Sequence, residues 1–184
     1  PQKRQEYLTV LQDINAETER LGHLISDLLA LARGDEGQAP FEQESVRLDL
    51  LAEATAASLQ PLAEERHIQL TTHVEQPVTL LGDEARLIQV VMNVLENALR
   101  FTNPGGQAAL IVKTAQSRVQ LVVRDTGIGI APEHLPHLFE RFYRADPARQ
   151  QTGGSSTGLG LAIVEWIVRV HGGTITLESQ VGQG

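Results

Sequence analysis

The sequence predicts an α+β chain in which one long helix precedes a mixed domain of helices and strands. Three observations lead to that class. Leu11, Ile14, Thr18, Leu21, Ile25, Leu28 and Ala32 recur at steps of three and four, with Leu24 and Leu31 widening the stripe, so residues 1 to about 33 read as one amphipathic helix. The pattern breaks at Arg33-Gly34-Asp35-Glu36-Gly37-Gln38-Ala39-Pro40, a polar stretch punctuated by glycine and proline. From Phe41 onward helical spacing and two-residue alternation take turns. A chain of 184 residues with 41% hydrophobic content can close one sizeable core, or a compact domain plus an appendage.

Each element has a local reason. Glu17, Glu19, Arg20 and Asp27 lie off the seam of the first helix, whose long stripe needs a partner in this chain or across a dimer. A short extended piece near Glu44 to Arg47 leads into a helix over roughly Leu48 to Arg66, with Pro61 as a candidate kink. Ile68, Leu70, Thr72 and Val74 alternate as in a strand, and Val78 to Leu81 reads as a second, shorter one. Asp83 is a good N-cap for a helix to Thr102, whose apolar stripe is Leu87, Ile88, Val91, Val94, Leu95, Ala98 and Leu99. Asn103-Pro104-Gly105-Gly106 stops it. Ala108 to Thr114 and Arg118 to Arg124 read as strands joined by a tight Ala-Gln-Ser turn. A short helix is expected around Glu133 to Phe142, then a polar segment over Arg144 to Thr157. Gly158-Leu159-Gly160 opens a final helix to about Val170, and after His171-Gly172-Gly173 one more strand is expected over Thr174 to Ser179.

Composition narrows the function. A net charge of -8 with scattered basic residues argues against a general nucleic-acid surface. Cysteine is absent, which excludes a disulfide framework and thiol chemistry. Lysine occurs only at Lys3 and Lys113, and no Gly-Lys-Ser/Thr exists, so there is no Walker phosphate loop. No apolar run is long enough to span a bilayer and no signal peptide is evident, so the expectation is a soluble, cytoplasmic chain. His23, His67, His73, His134, His137 and His171 show no metal-ligand spacing and read as structural or surface residues, His171 as a favourable partner of a helix C-terminus.

Several stretches could carry chemistry, and each has a plainer alternative. Asn93, Asn97 and Arg100 share one helix face, as metal and phosphate ligands or as a polar surface. Asp125-Thr126-Gly127-Ile128-Gly129-Ile130 ends a strand. Its carboxylate can accept from an exocyclic amine such as that of adenine, and its glycines let a ligand approach; equally it can be a turn. It is not a dinucleotide fingerprint, because Pro132 stands where the third glycine belongs. Gly153 to Gly160 is a glycine-rich helix entry, a natural phosphate site or a simple loop. Leu138-Phe139-Glu140-Arg141-Phe142-Tyr143-Arg144 offers arginines to an anion or to solvent.

Taken in order, an Asn-rich helix, Asp-x-Gly-x-Gly, Phe-Glu-Arg-Phe, Gly-x-Gly-Leu and Gly-Gly-x-Ile resemble the ATP-binding domain of bacterial sensor histidine kinases, in the GHKL superfamily, from about Phe41 to Gly184. Arg20 to Arg33 resembles the second helix of that family's dimerisation and phosphotransfer hairpin. The resemblance implies a hairpin helix over 1–35, a linker over 36–40, and over 41–184 a two-layer α/β sandwich of the Bergerat type, its mixed, mostly antiparallel sheet covered by helices.

It also implies ATP and Mg²⁺ as cofactors and assigns roles by position. Asn93 and Asn97 match the N box and carry the catalytic role, Asn97 as the Mg²⁺ ligand. Arg100 matches the phosphate-contacting base, Phe101 the aromatic against adenine, and Asp125 the carboxylate that recognises the adenine amine, with room from Gly127 and Gly129. Phe139 and Phe142 match the F box. Arg144 to Thr157 matches the lid, and Thr157, Gly158, Leu159 and Gly160 belong to the second glycine box at the phosphates.

One position separates kinase from hydrolase within the superfamily. Gyrase-type and chaperone ATPases carry a water-activating glutamate four residues before the metal asparagine; here that residue is Asn93, and an amide cannot take the proton. Glu96 is one residue from Asn97, about 100° away on a helix. The resemblance thus implies slow hydrolysis and transfer of the γ-phosphoryl to a protein histidine. The alternatives are a GHKL-type ATPase and a non-catalytic dimerisation module. No histidine here has the family's acceptor context, an acidic residue next and a proline a few positions on: His23 precedes Leu24-Ile25-Ser26. The expectation is a fragment that binds Mg-ATP without phosphorylating itself. Its implied partners are a second copy through helix 1–33 and a response-regulator receiver domain, with membrane contact only through segments outside this sequence.

Overall fold

The computed structural model describes residues 42–116, 118–145 and 157–184, together with Val10, Ile14, Thr18, Gly22, Ile25, Leu28 and Leu29. The Arg33 to Pro40 stretch, Ser117 of the tight turn and the interior of the Arg144 to Thr157 segment lie outside the described residues. The chain divides into two compact units, Pro1–Pro40 and Phe41–Gly184. In the first, all seven described residues are helical. Thr18 Oγ1 donates to the Ile14 carbonyl one turn back at 2.8 Å, and Ile14 and Ile25 are 57% and 59% exposed.

The second unit runs β1 (Glu44–Arg47), α1 (Leu48–Glu65), β2 (Gln69–Val74), β3 (Thr79–Gly82), α2 (Glu84–Phe101), β4 (Gln107–Ala115), β5 (Arg118–Asp125) and α3 (Gly160–Val170). β1 and β3 form an antiparallel pair, Val46 opposite Leu80. The main sheet has the order β2-β4-β5: β2 runs parallel to β4 with Leu70 opposite Ala108, and β5 runs antiparallel to β4 with Leu110 opposite Val123. Alternation puts Ala108, Leu110 and Val112 on the buried face of β4. Against them pack Leu51, Ala52, Ala56, Leu59 and Ala63 of α1 and Val91, Leu95, Ala98 and Leu99 of α2. The small residues of α1 let the two helices approach closely. This is a mixed α/β architecture, a three-stranded sheet under a helical layer with a separate two-stranded pair.

Local chemistry sets the ends. Arg47 and Asp49 form a two-pronged pair at the head of α1, at 2.9 and 2.5 Å, and the same carboxylate accepts from Val78 N–H at 3.2 Å. α1 continues through Pro61 and stops in a left-handed turn: His67 has φ 56°, Ile68 N–H donates to Ala63 O and His67 N–H to Glu64 O. That is a Schellman ending with histidine where glycine is usual. At α2, Asp83 caps as read, accepting from Arg86 N–H at 3.0 Å. Its buried arc is shifted from the expected stripe, because α2 packs against α1 and α3 as well as the sheet: Val90 is buried, while Ile88 is 39% exposed and Leu87 and Val94 are half-buried.

Two expected elements are corrected. The helix expected over Glu133 to Phe142 is only a 3₁₀ turn, Leu135–His137. Pro136 lacks the donor that an α-helix needs there, and the surrounding amides bond three residues back instead, as in His137 N–H to His134 O and Glu140 N–H to His137 O. Thr174 to Ser179 is not a strand. Its end is drawn instead to the loop after β5: Ser179 Oγ accepts from Ile130 N–H at 2.8 Å and Gly182 N–H donates to Ile128 O at 2.8 Å, so it makes no ladder with a neighbouring strand.

Candidate functional site

α2 is the spine along which the predicted residues are set out. Asn93, Asn97, Arg100 and Phe101 follow one another down it, and none is among its buried residues. At the middle of the helix, Asn93 Nδ2 donates to the Gly160 carbonyl in a long bond of 3.4 Å, tying α2 to the first turn of α3. A Cβ on Gly160 would stand 3.7 Å from the Asn93 amide, in ordinary contact. One of the two amide N–H groups is thereby used and the Asn93 carbonyl oxygen is left over. Asn97, one turn further on, is half-buried and makes no side-chain hydrogen bond among the described residues.

Past the end of α2 the chain comes back to the Asp125 loop. Asp125 Oδ1 accepts from Gly127 N–H at 2.8 Å, and Ile128 N–H donates to Phe101 O at 3.1 Å. Gly127 has no room for a side chain: a Cβ there would lie 2.5 Å from Asp125 Oδ1 and 2.6 Å from Phe101 O. Gly129 has φ 69° and meets the Gln180 backbone, and the Gly184 backbone lies against Asp125. Phe101 is 41% exposed beside this loop.

At the other end, Phe142 and Gly158 join backbones. Phe142 N–H donates to Gly158 O at 2.9 Å, both have positive φ (65° and 71°), and a Cβ on Gly158 would strike the Phe142 backbone. Leu159 is fully buried and anchors the entry to α3, while its amide donates to Thr157 Oγ1 at 3.3 Å. Phe139 is half-buried and Phe142 is exposed. Tyr143 bonds His134 Nδ1 at 2.7 Å and stacks at a tilt on His137, which accounts for both histidines locally.

The electrostatics centre on Arg100. Burial pushes its guanidinium below the ordinary arginine value, the charge of Arg66 pushes the same way, Glu96 opposes and Arg144 adds to the depression. Neither Arg100 nor Arg144 has an ion-pair partner among the described residues. Three cationic groups with one opposing carboxylate suit an anion. Among the described residues no group of three or more His, Asp or Glu side chains could hold a metal by itself, and no helix is long and apolar enough to cross a membrane. Sequence reasoning missed two contributors: Arg66, which belongs to none of the motifs, and the Gly160 carbonyl, which only the packing of α3 on α2 brings to Asn93.

Comparison with known proteins bears on this arrangement. Residues 82–184 match the family described as histidine kinase-, DNA gyrase B- and HSP90-like ATPase. The chain is 39% identical over 176 residues to sensor histidine kinase CusS of Escherichia coli O157:H7, covering 96% of this chain and 36% of CusS. It spans about a third of the length of the curated relatives it matches. Among solved structures it is similar to the mycobacterial sensor histidine kinase MprB, with TM-score 0.60 and 32% identity over 71% of this chain and 81% of that one. It is also similar to full-length ShkA in complex with AMPPNP, with TM-score 0.76 and 33% identity over 89% of this chain and 34% of that one.

Proposed function

The chain belongs to the histidine kinase-, DNA gyrase B- and HSP90-like ATPase family, and from that premise we propose that it is the nucleotide-holding part of a sensor histidine kinase. It takes Mg-ATP and presents the γ-phosphoryl to a histidine on a dimerisation helix, for onward relay to a receiver domain. The similar ShkA is in complex with AMPPNP, which supports a nucleoside triphosphate as the ligand.

In this reading Asp125 accepts from the adenine amine at the floor of the β5 loop, where Gly127 and Gly129 let the loop pack against the backbone of Phe101 and Gln180. Phe101 flanks the base. The phosphates lie along α2 toward Arg100, the amides of Gly158 to Gly160 at the positive end of α3, and Arg144. Mg²⁺ fits the donors present. It prefers oxygen, keeps water and phosphate ligands, and needs only one or two protein groups. The Asn97 carboxamide oxygen has no competing hydrogen bond among the described residues, and the Asn93 oxygen is its neighbour one turn away. Bound there, the cation would neutralise charge on the phosphate oxygens during transfer.

Asn93 carries the choice of kinase over hydrolase. Its Nδ2 is engaged with Gly160 O, it has no proton-accepting group, and Glu96 is exposed on another side of α2. Water at the γ-phosphate is left without a base. The exposed apolar residues of the N-terminal helix support pairing with a second copy and with the acceptor-bearing helix.

The reading is tested by incubating the chain with Mg-ATP at saturating concentration. Binding with no sustained phosphate release is expected; steady turnover would contradict the assignment and favour the ATPase class.

A further inference from the structure

Arg66 stands outside every motif of the nucleotide site, at the C-terminal end of α1, yet it reaches the cationic corner of that site. Its Nη1 donates to the Leu99 carbonyl at 3.2 Å, crossing from one helix to the last turn of another. The bond holds its guanidinium beside the residue that precedes Arg100. An arginine on the carbonyls of a helix C-terminus is a satisfied cap, and that alone would end the matter. The surroundings go further. Arg66 exerts the largest charge effect on Arg100, ahead of Glu96 and Arg144. Arg66, Arg100 and Arg144 have no ion pair among the described residues, and the one carboxylate that bears on Arg100 is the exposed Glu96. Like charges gathered at half-buried positions repel one another, and a multiply charged anion between them reverses the sign of the interaction. One bond to Leu99 uses one of the five guanidinium N–H groups.

The geometry points to Arg66 as a further phosphate-binding residue, completing with Arg100 and Arg144 a three-guanidinium corner for the polyphosphate of the nucleotide. The inference rests on the reading of the chain as an ATP-binding domain and adds to it a ligand from α1. Because the corner sits at the negative end of α2, the guanidinium charges must offset that end of the helix and add to the attraction of the α3 amides.

The test is the ratio of ATP to adenosine affinity, measured by calorimetry on wild type, Arg66→Gln and Arg66→Lys, with Arg118→Gln on the exposed start of β5 as a charge-matched control. A role confined to capping α2 weakens both ligands equally and leaves the ratio alone. Phosphate contact predicts a ratio lowered roughly fivefold to tenfold in Arg66→Gln, largely restored in Arg66→Lys, and unchanged in Arg118→Gln. A ratio within about twofold of wild type in Arg66→Gln, or equal losses in the Gln and Lys variants, overturns the inference while leaving the nucleotide reading intact. Failure of the wild type to bind ATP overturns both.

Discussion

His171 Nε2 accepts the backbone N–H of Asp83 at 3.1 Å while its Nδ1 bonds the Ile167 carbonyl at 2.7 Å. A carbonyl can only accept and an amide N–H can only donate, so the imidazole is the neutral Nδ1–H tautomer. It fastens the end of α3 to the N-cap of α2, and Asn93 with Gly160 fastens the same two helices at the other end of α3. Asn97, Arg100 and Phe101 follow the second tie on α2, and Thr157 to Leu159 precede it at the entry to α3.

Removing the histidine leaves the Asp83 amide without its acceptor. His171→Ala is expected to lower unfolding free energy by about 1–3 kcal/mol, read from urea midpoints. Gly82→Ala should act at the same point, since a Cβ there would lie 2.8 Å from the ring. Overpacking of this kind costs about 1–3 kcal/mol, and an effect near zero for both variants would remove the joint from the account.

His67 makes a prediction of opposite sign. Its φ of 56° at the end of α1 is a left-handed conformation that glycine adopts freely. Relief of that strain outweighs the added unfolded-chain freedom, so His67→Gly should stabilise by about 0.5–1 kcal/mol. Thermal melting checks it.

Acid stability should depend on Asp49. Hydrogen bonding from Arg47 holds this carboxyl well below the usual carboxylate range; burial opposes, and Val78 N–H and the Arg47 charge add to the lowering. A carboxyl depressed in the folded state stabilises above its unfolded value of about 3.9. That contribution is lost as pH falls from there toward the folded value. Wild type should therefore lose its advantage over Asp49→Asn between about pH 5 and pH 2, seen as converging urea midpoints.

Gly127 tests the β5 loop. With Asp125 Oδ1 and Phe101 O both under 3 Å from a Cβ, Gly127→Ala must displace one of them. Adenosine affinity is expected to fall at least about tenfold, a loss of 1.4 kcal/mol, measured by calorimetry.

How much of this was legible follows from the range of each interaction. α2 was readable because Asp83, the apolar spacing and Asn103-Pro104-Gly105-Gly106 are all local signals. β4 and β5 were readable because two residues join them and Ala115 pairs with Arg118. The parallel pairing of β2 with β4 was not, since β3 and α2 intervene and no turn sets the register. The 3₁₀ turn was hidden by apolar spacing that suits a helix until Pro136 removes a donor. In the site, the order of motifs marked Asn93, Asn97, Asp125 and Gly158 to Gly160. Arg66 and His171 act across helices, through backbone carbonyls and amides that carry no sequence signature.

Asn97 carries the central claim, that α2 is a metal-and-nucleotide surface. The direct measurement is binding of a fluorescent ATP analogue to wild type and Asn97→Ala, each with Mg²⁺ and with chelator, with far-UV circular dichroism confirming the fold. The account predicts Mg²⁺-dependent binding by the wild type and its loss in a folded Asn97→Ala. Equal Mg²⁺-dependent affinity in both proteins would contradict it.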